Sequence, residues 1–126
     1  MRDIVHNIGV VQAVAPADIA ANTNGAGIDL LSFDSVAFVI ATGAITGAGA
    51  FTVKLQESDT DSAYADVAAA HYQAPIAGNL AASSTAKVGY RGFKRWVRLV
   101  LTKGGGTSIF ASVIAIKGHA AERPVA

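Results

Sequence analysis

The segment FTVKLQ at residues 51–56 alternates apolar and polar side chains without interruption. Successive side chains of a β-strand point to opposite faces of a sheet. We therefore expect Phe51, Val53 and Leu55 to face a core, while the three polar side chains that alternate with them face water. This is the clearest strand signal in the chain, and it predicts a layered β-structure.

Strand signals continue on both sides of this segment. Upstream, VAFVIA at 36–41 is short and is β-branched or aromatic at four of its six positions, which predicts a fully buried strand. Downstream, the turn-forming cluster ESDTDS at 57–62 leads to a shorter strand at 64–67. In the last third, strands are predicted at 85–90, 95–102 and 108–117, with the glycine triplet 104–106 as a hairpin loop. Because 95–102 is apolar on both faces, we expect it to be covered on both sides.

The remaining segments carry no regular pattern. Residues 42–49 are predicted to connect two strands, 68–84 to form a loop with strand fragments or one short helix, and 119–126 to form a tail. Residues 1–24 are predicted to be irregular, with an apolar patch at 8–14. About seven or eight short strands with glycine-rich turns are typical of an all-β fold. We predict one antiparallel β-sandwich or jelly-roll domain over residues 25–126, preceded by an extended N-terminal arm over residues 1–24.

The composition indicates a surface that is partly covered by other molecules. Of the 126 residues, 52% are hydrophobic and only 15% are charged, against roughly 25% charged in an average soluble domain. The longest unbroken apolar stretch, 36–41, is far shorter than the ~20 residues of a membrane-spanning helix, and polar residues interrupt the start of the chain. There is no cysteine for a disulfide framework. We therefore exclude an integral membrane protein and a disulfide scaffold, and expect other subunits to cover part of this weakly charged surface.

The net charge of +1 hides an asymmetry between the two halves of the sequence. Residues 1–63 hold two basic and seven acidic side chains, and residues 64–126 hold eight basic and two acidic ones. This distribution fits a basic face that docks on an acidic partner or on the acidic half of a neighbouring copy. It fits equally a sandwich in which the two halves interleave and their charges mix in space. Nucleic-acid binding is not expected, because the chain as a whole has no clear basic excess.

The sequence offers no catalytic, cofactor-binding or metal-binding motif. The three histidines are scattered, there is no cysteine, and no serine lies in a Gly-x-Ser-x-Gly pattern. The glycine-rich stretches lack the lysine of a phosphate-binding loop and are predicted to be turns. An EF-hand beginning at Asp59 is excluded, because Tyr64 and Ala70 stand where glycine and glutamate are required. A looser calcium site using Glu57, Asp59 and Asp61 is an alternative to a solvated turn.

Aromatic and basic side chains alternate in the segment 90–98. Tyr90, Phe93 and Trp96 lie among four basic residues, an arrangement that suits stacking on bases or sugars. It also suits aromatic side chains that fill a core while arginine stems lie over them, and we favour this second interpretation.

Four segments together resemble a family of small structural proteins of tailed bacteriophages. These are VGYRGFKRWVR at 88–98, KLQESD at 54–59, DVAAA at 66–70 and IKGH at 116–119. The similarity extends over most of the chain, from about residue 29 to residue 119, and keeps the order and spacing of the segments. The family looks like the capsid decoration, or cement, proteins.

The resemblance implies a β-sandwich subunit that assembles, as a trimer, on the outside of an icosahedral shell where capsomers meet. It further implies the major capsid protein as partner, synthesis in the bacterial cytoplasm, location on the virion surface, and no enzymatic activity, cofactor, nucleic acid or membrane partner. The expected function is stabilisation of the shell against the pressure of packaged DNA. Two other functions stay open: a carbohydrate-binding sandwich with Tyr64, Tyr72 or Trp96 as platform, and a head–tail or tail component.

Two sets of residues are candidates for the contacts with the shell or with neighbouring subunits. The first is the apolar set of the predicted arm, because a free arm with this much apolar surface is poorly soluble unless covered. The second is the basic set of 90–98. The members are Ile4, Val5, Ile8, Val10, Val11 and Val14 in the first set, and Arg91, Lys94, Arg95 and Arg98 in the second.

Overall fold

In the computed structural model, which describes residues 3–120, ten β-strands and two single-turn 3₁₀ helices follow one another. The 3₁₀ turns are Val5–Asn7 and Ala69–His71. The strands are β1 (Gly9–Ile19), β2 (Thr23–Asn24), β3 (Ile28–Asp29), β4 (Phe33–Thr46), β5 (Ala50–Ser58), β6 (Ala65–Asp66), β7 (Tyr72–Gln73), β8 (Thr85–Tyr90), β9 (Trp96–Gly105) and β10 (Ser108–Ala120).

The strands form two antiparallel sheets that pack face to face. Sheet A has the order β1-β10-β4-β8-β7, and sheet B has the order β2-β9-β5-β6, with β3 also pairing with β9. The chain passes back and forth between the sheets, and this order of neighbours is that of a jelly roll. The all-β sandwich prediction is confirmed.

The core lies between the two sheets and is built from the alternation described above. Phe51 and Leu55 of β5 are fully buried, as are Phe38 and Ile40 of β4 in the opposite sheet. The outward neighbours Thr52 and Lys54 are exposed or half-buried. The period-two pattern at 51–56 therefore predicts the core face of β5 correctly.

The prediction of an irregular arm is wrong for residues 9–19. They form β1, an edge strand of sheet A that pairs with β10 from Gly9 opposite Lys117 to Ile19 opposite Ile109. Two register shifts, between Gln12 and Val14 and between Val14 and Ala17, interrupt the alternation and hide the strand from a periodicity argument.

Two connections also differ from the prediction. The strand predicted at 36–41 continues to Thr46, because the irregular register between Ile109 and Ala111 of β10 accommodates the glycine-rich segment. The glycine triplet 104–106 is not a hairpin loop. Residues 104 and 105 belong to β9, and since β9 lies in sheet B and β10 in sheet A, residues 106 and 107 carry the chain across the sandwich.

The end of the chain was predicted to be a tail from residue 119 onwards. Residues 119 and 120 instead belong to β10 and extend its pairing with β4. Residues 121–126 lie outside the described part of the chain. No helix among the described residues is long and apolar enough to span a membrane.

Candidate functional site

The outward side of sheet A is an apolar surface that the fold itself leaves uncovered. Opposed residues of antiparallel strands share a face, so the register places Val10 beside Ile116, and Ile114 beside Val39, with Lys87 next to Val39 on β8. None of the four apolar residues belongs to the core cluster. We call this surface the outer face, and its apolar members are Val10, Ala37, Val39, Ala41, Phe110, Ile114 and Ile116.

Three large apolar side chains of the outer face are exposed to solvent. Val10 is 61% exposed, Phe110 47% and Ile114 41%. The prediction that 36–41 is buried on both sides is therefore wrong within this single chain. The outward residues Ala37 and Val39 of β4 have the same apolar character as the inward ones, yet no element within residues 3–120 covers them.

A hollow lies on the outer face beside Phe110. It has a volume of about 320 Å³ and is lined mainly by small side chains. Gly43 contributes to its floor, where an added Cβ would lie 3.2 Å from the Cβ of Phe110. The hollow is lined by Pro16, Ala17, Ala41, Gly43, Phe110, Ala111 and Ser112.

The outward side of sheet B has the opposite character. Asp66 accepts hydrogen bonds from Gln56 at 2.9 Å and forms an ion pair with Lys54 at 3.3 Å. Gln56 in turn accepts a hydrogen bond from Arg98 Nε at 2.9 Å, and the Arg98 guanidinium lies 4.3 Å from the centre of the Tyr64 ring. The hydrogen bond from Gln56, followed by the Lys54 ammonium, holds the pKa of Asp66 below its usual value. The outward side of sheet B is therefore a polar, solvated surface.

One end of the sandwich carries a second apolar surface, which we call the loop end. It contains the loop 30–32 before β4 and the loop 91–95 between β8 and β9. Leu31 is 62% exposed and Phe93 80% exposed, and they line a cleft of about 330 Å³. The prediction that Phe93 fills the core is wrong, because the backbone turns outward after Tyr90.

Tyr90 supports the loop 91–95 from below. Its buried hydroxyl donates to Glu57 Oε1 at 2.7 Å and accepts from the backbone N–H of Lys94 at 3.1 Å. Burial raises the pKa of Tyr90 to about 12, so its hydroxyl stays protonated at neutral pH and can donate a hydrogen bond. Gly92 packs so closely on this ring that an added Cβ would collide with the hydroxyl. The loop that presents Phe93 is therefore held in one conformation.

Two of the four basic side chains of 90–98 pair with acids from the first half of the chain. Lys94 Nζ lies 2.9 Å from Asp59, and Arg95 makes two 2.8 Å hydrogen bonds to Asp29. Arg91 instead donates from Nε to the carbonyl of Ala70 at 3.1 Å. Basic residues of the second half of the sequence thus lie beside acidic residues of the first half, which reduces the charge asymmetry in space.

The Asp29–Arg95 pair leads to a pH-dependent prediction. The guanidinium of Arg95 lowers the pKa of Asp29 from 3.8 to about 2. A carboxylate with a lowered pKa stabilises the fold above its unfolded-state pKa, and the contribution disappears as the pH falls from about 4 to about 2. We expect Asp29→Asn to cost about 0.5–1 kcal/mol at pH 6, allowing for solvent screening, and much less at pH 2, where about half of the Asp29 side chains are protonated. Urea unfolding at both pH values measures this.

The matched control for this measurement is Asp34→Asn. Asp34 is exposed and forms no ion pair within residues 3–120. Its replacement should leave the free energy of unfolding unchanged at both pH values. A cost of Asp29→Asn that is as large at pH 2 as at pH 6 would contradict the assignment.

The apolar residues predicted to form an arm lie in different environments, among them a 3₁₀ turn, the exposed side of β1 and the core. Ile4 and Val5 lie in and beside the first 3₁₀ turn and are exposed. Val10 belongs to the outer face, and Val11 is exposed on the edge strand β1. Val14 is a core residue, 8% exposed, opposite Val113. Ile8 is half-buried between the first 3₁₀ turn and β1.

The other proposed sites are not assembled as the sequence suggests. Asp59 pairs with Lys94, Asp61 accepts from the Tyr64 hydroxyl at 2.6 Å, and Glu57 accepts from a tyrosine inside the sandwich. Within the described residues, no group of three acidic, histidine or cysteine side chains could hold a metal ion.

Of the three aromatic side chains considered for a carbohydrate platform, only Tyr64 and Trp96 lie on the same side of the sandwich. Tyr72 packs against the core and its hydroxyl accepts from the N–H of Leu55 at 2.8 Å, whereas Tyr64 and Trp96 lie on the sheet B side. The outer face was missed by sequence reasoning. The signal was present in FASVIAIK at 110–117, which is apolar on both strand faces.

Comparisons with known proteins include a similarity to a solved structure. No protein-family model and no curated protein matches the chain. A chain in a structure described as "Structure of infectious bursal disease virus Gx strain" is similar, with a TM-score of 0.43 and 16% sequence identity. The match covers 89% of this chain and 32% of that chain, so this protein spans about a third of the length of its structural neighbour.

Proposed function

We propose that this chain is a structural protein of a bacteriophage head, which binds the outside of the assembled shell where capsomers meet. The observation that carries the proposal is that the fold exposes two apolar surfaces, the outer face and the loop end. Single proteins in water rarely expose large apolar patches, and such patches mark interaction sites. The resemblance of the segments at 54–59 and 88–98 to capsid decoration proteins supports the same function.

The loop end is the surface that we assign to the shell. Leu31 and Phe93 stand on either side of the cleft, and the Asp29–Arg95 and Asp59–Lys94 pairs surround them. An apolar centre within a polar rim is the usual anatomy of a protein–protein interface. Aromatic side chains that enter a partner's pocket contribute most of the binding energy. The exposed segment with Ile4 and Val5 lies at the same end of the sandwich and adds to this surface.

The proposed mechanism is stoichiometric binding rather than catalysis. A protein that binds the assembled shell, but not its separated capsomers, stabilises the shell by mass action. Attachment at a junction between capsomers then opposes the outward force of the packaged DNA. Several linked copies would strengthen attachment through avidity.

Binding to purified phage heads tests this function. We expect the wild-type chain to cosediment with heads in hundreds of copies and to raise the temperature at which the heads release DNA. The double variant Leu31→Glu/Phe93→Glu should bind at least about 100-fold more weakly, because it places charge in the apolar centre of the interface.

The control is Ala82→Glu, an exposed position at the opposite end of the sandwich. It should bind heads like the wild type. Wild-type protein that ignores heads would overturn the proposal, and a handful of copies per particle would indicate a head–tail or tail component instead. Glycan binding that is lost on Trp96→Ala would indicate the carbohydrate-binding alternative.

A further inference from the structure

We infer that the outer face of sheet A is a self-association surface, on which a second copy of this chain packs face to face about a two-fold axis. This inference goes beyond the proposed function, because it names the partner for one of the two exposed surfaces and can be measured without any shell. The two-fold pair differs from the trimer that the resemblance implies, and sedimentation distinguishes the two.

The chemistry of the face favours another apolar sheet as its partner. Over the paired segments 37–41 of β4 and 110–116 of β10, the outward side chains are Ala37, Val39, Ala41, Phe110, Ser112, Ile114 and Ile116. None of these is ionisable, and only Ser112 among them is polar. The polar outward residues Gln12, Ser35 and Thr85 surround this apolar centre. Flat aliphatic sheet faces pack on one another at about 10 Å, with strand directions within about 30°.

The face carries a projection and a recess side by side. Phe110 projects, and the hollow of about 320 Å³ beside it is lined by Pro16, Ala17 and Gly43 among others. In a two-fold interface the same patch is used on both copies. An axis that passes close to Phe110 brings the ring of each copy to the hollow of the other, so the surface is complementary to itself.

The charges at the margins agree with this arrangement. Asp18 lies on the outer face at the β1 margin, opposite Phe110, and Lys87 lies at the β8 margin, opposite Val39. Both are exposed, and neither forms an ion pair in the described part of the chain. When the two-fold axis runs along the strands, the β1 margin of one copy stacks over the β8 margin of the other. Asp18 of each copy then lies along the same margin as Lys87 of the other copy, and the two Asp18 side chains lie at opposite margins.

The free edge of β1 is a poorer surface for self-association. Pro16 lacks the N–H that a further strand would need, and the two register shifts of β1 twist its edge. A continuous sheet through two β1 strands is therefore disfavoured, whereas the face is regular across β10 and β4.

The size of the face is sufficient for a pair. Four strands spaced about 4.8 Å apart, over about 30 Å of length, give a face of roughly 600 Å² per copy. Two such faces bury roughly 1,200 Å², the lower end of the range for stable protein–protein interfaces.

Sedimentation of the full chain, with Ile114→Glu as the disrupting variant, tests this inference. We expect the wild type to be a dimer at about 50 µM and Ile114→Glu to weaken dimerisation by at least about 100-fold. Ile114 points away from the core, so the variant folds. The control is Thr52→Glu, which places the same charge on the outward side of sheet B and should leave the dimer intact.

A labelling experiment reads the same surface without adding charge. The chain has no cysteine, so Ser112→Cys and Thr52→Cys each introduce one thiol on an outward strand position. Maleimide should label the thiol at 112 at least 10-fold more slowly than the thiol at 52.

The outcomes separate this inference from the proposed function. A monomer, a trimer, or a dimer that survives Ile114→Glu would overturn the pairing through the outer face. A dimer that fails to bind phage heads would overturn the proposed function and leave the pairing standing.

Discussion

Replacing Phe38 by alanine is expected to lower the free energy of unfolding by about 3–5 kcal/mol. Phe38 is fully buried at the middle of β4, opposite Ala115 on β10 and Val88 on β8. The truncation removes the aromatic ring from the core and leaves a cavity that the regular strands on both sides cannot close. Because small domains are stable by only about 5–15 kcal/mol, this loss is a large part of the total.

Urea unfolding, followed by the fluorescence of the single tryptophan at one fixed protein concentration, measures this loss. Phe93→Ala is the matched control, since it removes the same ring from a side chain that is 80% exposed. The control should cost less than about 0.5 kcal/mol. Equal costs for the two variants would contradict the position assigned to Phe38.

Replacing Gly25 by alanine is expected to cost about 2–4 kcal/mol, although it adds only one methyl group. The added Cβ would lie 2.6 Å from the carbonyl oxygen of Leu99 in sheet B and 3.2 Å from that of Ala13 in sheet A. The same carbonyls accept the backbone N–H groups of Gly25 and Ala26, at 2.7 and 2.8 Å. An alanine must therefore push apart the hydrogen bonds that join the two sheets along this edge.

Thermal and urea unfolding of Gly25→Ala can be compared with Gly105→Ala. An added Cβ at Gly105 meets no atom within 4 Å, and its backbone is not in the left-handed region. We expect the control to change the free energy of unfolding by less than about 0.5 kcal/mol. If both variants unfold like the wild type, the close approach at Gly25 is not present in solution.

Sequence periodicity predicts the central strands of this fold well and its edges badly. The alternation in 51–56 places Phe51 and Leu55 in the core, and the strands predicted at 85–90 and 108–117 are observed with small changes at their ends. The strand β1 was missed because two register shifts and Pro16 break its alternation. Such irregularities are set by the neighbouring strand, so no local pattern in 9–19 reveals them.

The sheet to which a strand belongs could not be predicted either. A glycine triplet between two strands favours a hairpin on local grounds, but the chain crosses from sheet B to sheet A at residues 106 and 107. The exposed outer face was inferred only in outline, from the scarcity of charge. Composition indicates that some surface is covered, whereas the register of β4 and β10 identifies which one.

The position of β10 between β1 and β4 has a consequence for how the chain is made. Among the ten strands of the described residues, β10 is synthesised last, yet it lies between β1 and β4 in sheet A and pairs with both. Until it emerges from the exit tunnel, β1 and β4 have no common partner and their apolar side chains remain in contact with water or with chaperones. Sheet A is therefore expected to form only once β10 has left the ribosome, and nascent chains that stop before residue 108 should stay sensitive to protease.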